Sequence, residues 1–183
     1  MKIRAYKSHF GMVMASVIAI CVSIVMATAA IFVDHLDFSI PLLVRNWGTA
    51  FLVITLTGMI FPLTPWAFAL CKKLGLKPET LPHILVENAV NTFFFNTTAT
   101  LVLAAVNIFN NPQIEGAIAA GALPFPNTTA MYWATVLHDW PIMFVISYVV
   151  AFFITKVALA TAKEAVAAAS EESKKAMAAE GKL

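Results

Sequence analysis

Residues 10–33 read FGMVMASVIAICVSIVMATAAIFV, and no side chain in the run is charged. A bilayer core about 30 Å thick takes about 20 mostly apolar residues to cross as a helix. The run is long enough to cross once, and Asp34, His35 and Asp37 end it. Three further segments have the same character. Trp47 to Cys71 is followed by Lys72 and Lys73, Ile84 to Phe109 lies between Pro82 and Asn110-Asn111-Pro112, and Met131 to Thr155 is followed by Lys156. In lipid each backbone amide must find its partner within the segment, so each is expected to be a helix. The expected fold is all-α: an integral membrane four-helix bundle over residues 1–163, with a cytoplasmic helical extension over 164–183.

The composition agrees. The chain has 183 residues, 60% hydrophobic and 12% charged, with a formal net charge of +2. Soluble domains carry roughly half apolar and about a quarter charged residues. These figures exclude a disordered chain, a disulfide scaffold and a nucleic-acid-binding protein, and they argue against a soluble enzyme. Cys21 and Cys71 both fall inside apolar runs, where a thiol behaves as a small hydrophobe.

Met1 to His9 is basic, and Ala27-Thr28-Ala29 resembles a signal-peptidase site. The apolar run is longer than a usual signal core, so an uncleaved span is expected. Short-loop Lys and Arg set orientation. One side has Lys2, Arg4, Lys7, Lys72, Lys73, Lys77, Lys156 and Lys163, and the other has only Arg45. Both termini are therefore expected in the cytoplasm. Phe38 to Val44 is expected to lie along the interface. The apolar loop 110–130, whose one charge is Glu115, is expected to fold back onto the bundle or dip into the headgroups. Asn127-Thr128-Thr129 fits a glycosylation sequon, and Asn96-Thr97-Thr98 has the same pattern within a span. The tail from Lys156 is rich in Ala, Lys and Glu, strong helix formers. Glu171 and Glu172 stand at helical pair spacing from Lys174 and Lys175, so the fourth helix is expected to continue and fray near Gly181.

An internal repeat is visible. Val44-Arg45-Asn46-Trp47 opens the second span, and Leu137-His138-Asp139-Trp140 lies near the start of the fourth. Overlaying the first and third spans sets Ser16 on Asn91 and Ser23 on Thr98. The chain then reads as two parallel helical hairpins, 1–77 and 78–163. Phe10-Gly11 with Ser16 and Ser23, followed by Arg45-Asn46-Trp47, resembles a group of small bacterial inner-membrane proteins. That group has a two-helix domain of unknown function, sometimes duplicated. The resemblance covers about residues 6–75 and, more faintly, 80–160. The family's early proline in the second helix is replaced here by Leu56-Thr57-Gly58, and Pro62 matches its later proline. The resemblance implies the fold and a multi-pass location in a bacterial inner membrane, but no activity.

Polar side chains at membrane depth are functional candidates by default. Glu87, Asn91 and Thr98 share one face of the third span, and Asn96, Thr100 and Asn107 share another. The first set reads as a solute or proton path with Glu87 titrating, or as interhelical hydrogen bonding. Near the other boundary His138 and Asp139 precede Pro141. They read as a proton or solute site, as metal ligands together with His35, or, through Asp139 and Arg45, as an ion pair locking the second helix to the fourth. Ser16, Ala19, Ser23 and Ala27 form a small-residue stripe suited to close packing, and Pro62 and Pro65 are expected to bend the second span. Trp47, Tyr132 and Trp133 read as interfacial anchors. No catalytic set, cofactor motif or metal-ligand spacing is visible, although His9 and His83 could in principle ligate a haem. The expected role is a small transporter or channel component moving a small solute or ion, with or without proton linkage, as a homo-oligomer or a subunit of a membrane complex. The alternative is a non-catalytic accessory subunit.

Overall fold

The computed structural model describes residues 2–33, 38–78 and 80–179. Among these residues there are six helices and no strand: α1 (Lys2–Val33), α2 (Ile40–Ile60), α3 (Leu63–Lys73), α4 (Leu81–Phe109), α5 (Pro112–Ala119) and α6 (Thr128–Ala179). Within α1, α2, α4 and α6 lie four segments long and apolar enough to cross a membrane. The chain is thus a helical, multi-pass membrane protein. Asp34, His35 and Asp37 lie outside the described residues, as do the side chains of Lys2, Arg4, Lys7 and His9 and of the Glu171–Lys175 pairs.

The second span differs from its expected form at both ends. It begins at Ile40 rather than Trp47, so Ile40 to Val44 are helical. Ser39 caps it, its Oγ accepting from the Leu42 amide at 3.3 Å, and Pro41 supplies a preset φ in the first turn. At the other end the expected bend is a full break. Pro62 has no N–H to offer the Gly58 carbonyl, and the Leu63 amide turns back to Phe61 O at 2.8 Å. The helix resumes as α3 and runs antiparallel along α4. Trp66 meets Phe94 with ring centroids 5.3 Å apart, and Phe68 meets His83 edge-on at 5.0 Å. Cys71 Sγ is 3.7 Å from His83 O.

The four long helices close into a ring. α1 packs against α2 and α6, and α4 packs against α2, α3 and α6. Val22, Met26, Ala50, Ile54, Leu103 and Met143 are among the core residues where they meet. The small-residue stripe of α1 is buried from Ala19 through Ser23 to Ala27, whereas Ser16 is exposed. Small side chains here let α1 approach two neighbours at once. The loop after α4 contains α5, which has no buried residue and touches α6; Ile114 and Phe125 of this loop border a cavity together with residues of α4 and α6. α6 is continuous for 52 residues through Pro141 and past residue 164, about 78 Å at the helical rise.

Candidate functional site: a buried polar face on α4

α4 and α6 are joined by a reciprocal set of hydrogen bonds in antiparallel register. Asn88 Nδ2 donates to Tyr148 O at 3.0 Å, and Asn96 Nδ2 donates to Trp140 O at 3.0 Å. In return Tyr148 Oη donates to Leu85 O at 3.2 Å and Trp140 Nε1 to Thr97 Oγ1 at 2.9 Å. Tyr132 Oη continues the series to Leu101 O at 3.3 Å. Donors recur every eight residues on both helices, a little over two turns, so they stay on facing sides. Each such bond in a membrane stabilises by about 0.6 kcal/mol, seldom above 2.

The same face of α4 carries polar atoms left without a partner. Thr92 Oγ1, Asn96 Oδ1, Thr100 Oγ1 and Asn107 Nδ2 are all buried and bonded to nothing in the protein. Their residues are 3%, 1%, 4% and 7% exposed. An unsatisfied buried polar group costs about 1–3 kcal/mol, so a row of four on one face points to water or a ligand beside it. The amide assignment of Asn96 is secure because its nitrogen must face the Trp140 carbonyl.

Two cavities border this face. One, of about 70 Å³, lies between α1, α4 and α6; Asn88, Asn91, Thr92, Asn96 and Ser147 wall it, with Phe95 beside them. The other, of about 360 Å³, opens at the far end of the bundle, where Asn107, His138 and Asp139 meet Ile114 and Phe125. Thr100 lies on the helix between the two sets of wall residues. His138 Nδ1 is 2.8 Å from Asp139 Oδ1; the His138 side chain is 67% exposed and that of Asp139 9%.

The expected site residues separate onto different surfaces. Asn91 lines the small cavity, and His138 and Asp139 line the large one. Glu87 lines neither. It lies 3.8 Å from Nδ1 of His83, one turn back on its own helix, and its side chain is 31% exposed. Thr98 also turns away, toward α2, its hydroxyl 2.9 Å from that of Thr57. Glu87, Asn91 and Thr98 therefore do not form one continuous path. The Arg45–Asp139 ion pair does not form. Arg45 Nη2 donates to Asn107 Oδ1 at 2.7 Å, and the near neighbour of Asp139 is His138. The lock thus joins α2 to α4 rather than to α6, because Arg45 lies opposite the end of α4. Among the described residues no group of three His, Cys, Asp or Glu side chains could hold a metal.

Asn88, Thr92 and Ser147 belong to the site although the sequence reading did not single them out. The signal for the first two was the four-residue step 88, 92, 96, 100, which places them on the Asn96 face. Ser147 had no such signal, being one hydroxyl in an apolar span. Asn46 is a further case: it is fully buried on α2 with both amide atoms unpartnered.

Compared with known proteins, the chain matches no family model, no curated protein and no solved structure.

Proposed function

We propose that the protein is a small transporter or channel component whose solute follows the Asn88–Thr92–Asn96–Thr100–Asn107 face of α4. The observation that supports this is the row of unpartnered buried polar atoms on that face, with a cavity at each end of it. A purely structural polar seam would have its atoms paired, as the α4–α6 bonds are. The route bypasses Glu87, so a proton path through that carboxylate is not part of it. The decisive measurement is flux into vesicles holding the purified protein, by stopped-flow light scattering for water and small solutes and by ion-sensitive dyes for protons and potassium. Permeability above protein-free vesicles is expected, and Glu87→Gln should keep the wild-type rate. Rates equal to those of empty vesicles would sink the reading.

Four helices enclose no wide pore, so assembly of several copies or with other subunits is part of the proposal. The alternative role, a non-catalytic accessory subunit, draws on the length of α6, which continues from the fourth span to Ala179 and is suited to grip a partner.

The two-hairpin repeat is also proposed, and similar hydrogen bonds support it. Trp47 Nε1 donates to Ser23 Oγ at 3.0 Å in the first hairpin, and Trp140 Nε1 donates in the second to Thr97 Oγ1, one residue before the position the overlay matches to Ser23. Asn46 and Asp139, matched by the repeat, are both buried. The ring order, with α1 diagonal to α4 and α2 to α6, is the one a twofold repeat would produce.

We also propose that the Lys72 end and both termini face the cytoplasm, a reading supported by the basic residues gathered on that side; the bacterial inner membrane is proposed from the resemblance alone. Leu74 and Asn127 are exposed at opposite ends of the bundle. In intact cells an impermeant maleimide is expected to label Asn127→Cys and spare Leu74→Cys, and the reverse pattern would invert the topology. Native Cys71 is fully buried and should stay unlabelled.

A further inference from the structure

The small cavity has a chemistry specific enough to name what it takes. None of its wall residues is ionisable; the polar ones are Asn88, Asn91, Thr92, Asn96, Ser147 and Thr155. Part of their hydrogen-bonding capacity is committed elsewhere. The Asn88 and Asn96 amide nitrogens bond α6 carbonyls, and the Ser147 and Thr155 hydroxyls bond carbonyls one turn back in their own helix. Thr28, Thr49, Thr97, Thr98 and Thr161 do the same, the usual habit of a helical threonine. Thr92 departs from it. Its hydroxyl makes no bond at all, and the Asn96 carbonyl oxygen makes none either. The wall therefore offers the Asn96 carbonyl oxygen and the Thr92 hydroxyl, one turn apart on α4, with the Asn91 side-chain amide beside them.

We infer that this cavity binds a small neutral amide, of the size and kind of acetamide or urea. Such a molecule presents an N–H to Asn96 Oδ1 and a carbonyl oxygen to the Thr92 hydroxyl. The space fits: at about 10–15 Å³ per water, the cavity admits on the order of five waters or one compact solute of similar bulk. An anion finds no positive charge in the wall and a bare cation no counter-charge, so neither is repaid for the hydration it loses at membrane depth. The inference rests on the conduit reading only for its consequence in transport. Binding itself is a separate property and is tested separately.

The test uses the full-length protein, labelled with ¹⁵N at asparagine, in detergent micelles. The Asn96 side-chain resonance is the one that disappears in Asn96→Leu. Acetamide is expected to shift it saturably, while potassium and ammonium chloride at equal concentration leave it in place. Thr92→Val should weaken the response and Thr92→Ser should restore it, which separates a lost hydroxyl from a misfolded bundle. A response to potassium or ammonium instead of acetamide would overturn the assignment. So would no saturable response to acetamide, the mark of a cavity that holds fixed water only. Saturable binding without flux would remove the conduit and keep the ligand class, whereas flux of potassium alone would do the opposite.

Discussion

Replacing Asn96 by leucine is expected to stop most solute flux while leaving the bundle nearly as stable as before. Leucine has almost the same shape, so the side chain still fills its place beside Trp140. What disappears is the Nδ2 bond to Trp140 O, worth about 0.6 kcal/mol and seldom above 2 in a membrane. The unpartnered Oδ1 disappears too, and its removal relieves the cost of an unsatisfied buried acceptor. The two changes oppose each other, so the thermal midpoint in detergent should move little. Transport responds differently. A solute at this depth has lost its water, and losing one hydrogen bond there raises its barrier by about 1.5 kcal/mol or more, a drop in rate of about tenfold or greater. Thr57→Val is the control. It removes a hydroxyl contact of similar size on the opposite side of α4, the one with Thr98, where no cavity lies. Flux should survive in that variant. An equal loss of flux in both variants would mean that these polar residues only hold helices together.

The four spans were legible because a run such as 84–109, with one acid and no basic residue, has no soluble alternative. The α4 polar faces were legible for the same reason: amides stand out against so apolar a background. Which face mattered was not legible. Sequence spacing places Glu87 with Asn91 and Thr98, but helix packing decides which side a neighbour covers. Here α2 covers Thr98 and Glu87 stays partly exposed beside His83, while the Asn96 side meets α6 and the cavity. α3 covers His83 because Pro62 breaks the second span instead of bending it. A proline in a sequence marks a missing donor but does not say how far the chain turns. Arg45 went astray for a related reason. Its opposite-charge partner at the same end of the bundle was Asp139, yet the ring order sets α2 beside α4, and the nearest acceptor there is the neutral Asn107.

Enlarging Ala27 to leucine is expected to give the largest loss of stability of any single change considered. Ala27 is fully enclosed on the buried stripe of α1, and α1 packs against both α2 and α6. A leucine there has no lipid-facing direction to turn, because the stripe faces inward. Overpacking of a tight core costs about 1–3 kcal/mol, occasionally more, and close approach is what a small-residue stripe supplies. The strain has a specific place to show itself. Ser23, one turn before Ala27 and also fully buried, accepts the Trp47 indole N–H at 3.0 Å, and a displaced α1 pulls that bond apart. Val22 and Met26 also wall the small cavity, so its shape changes with the same displacement. The thermal midpoint in detergent should fall by several degrees, with a matching change in Trp47 fluorescence. Ile24→Ala is the comparison, since Ile24 is 43% exposed on the other side of α1 and its loss leaves the packed seam intact. If Ala27→Leu melts with the wild type, α1 is not packed as closely as its stripe requires, and the small cavity is not bounded by that helix.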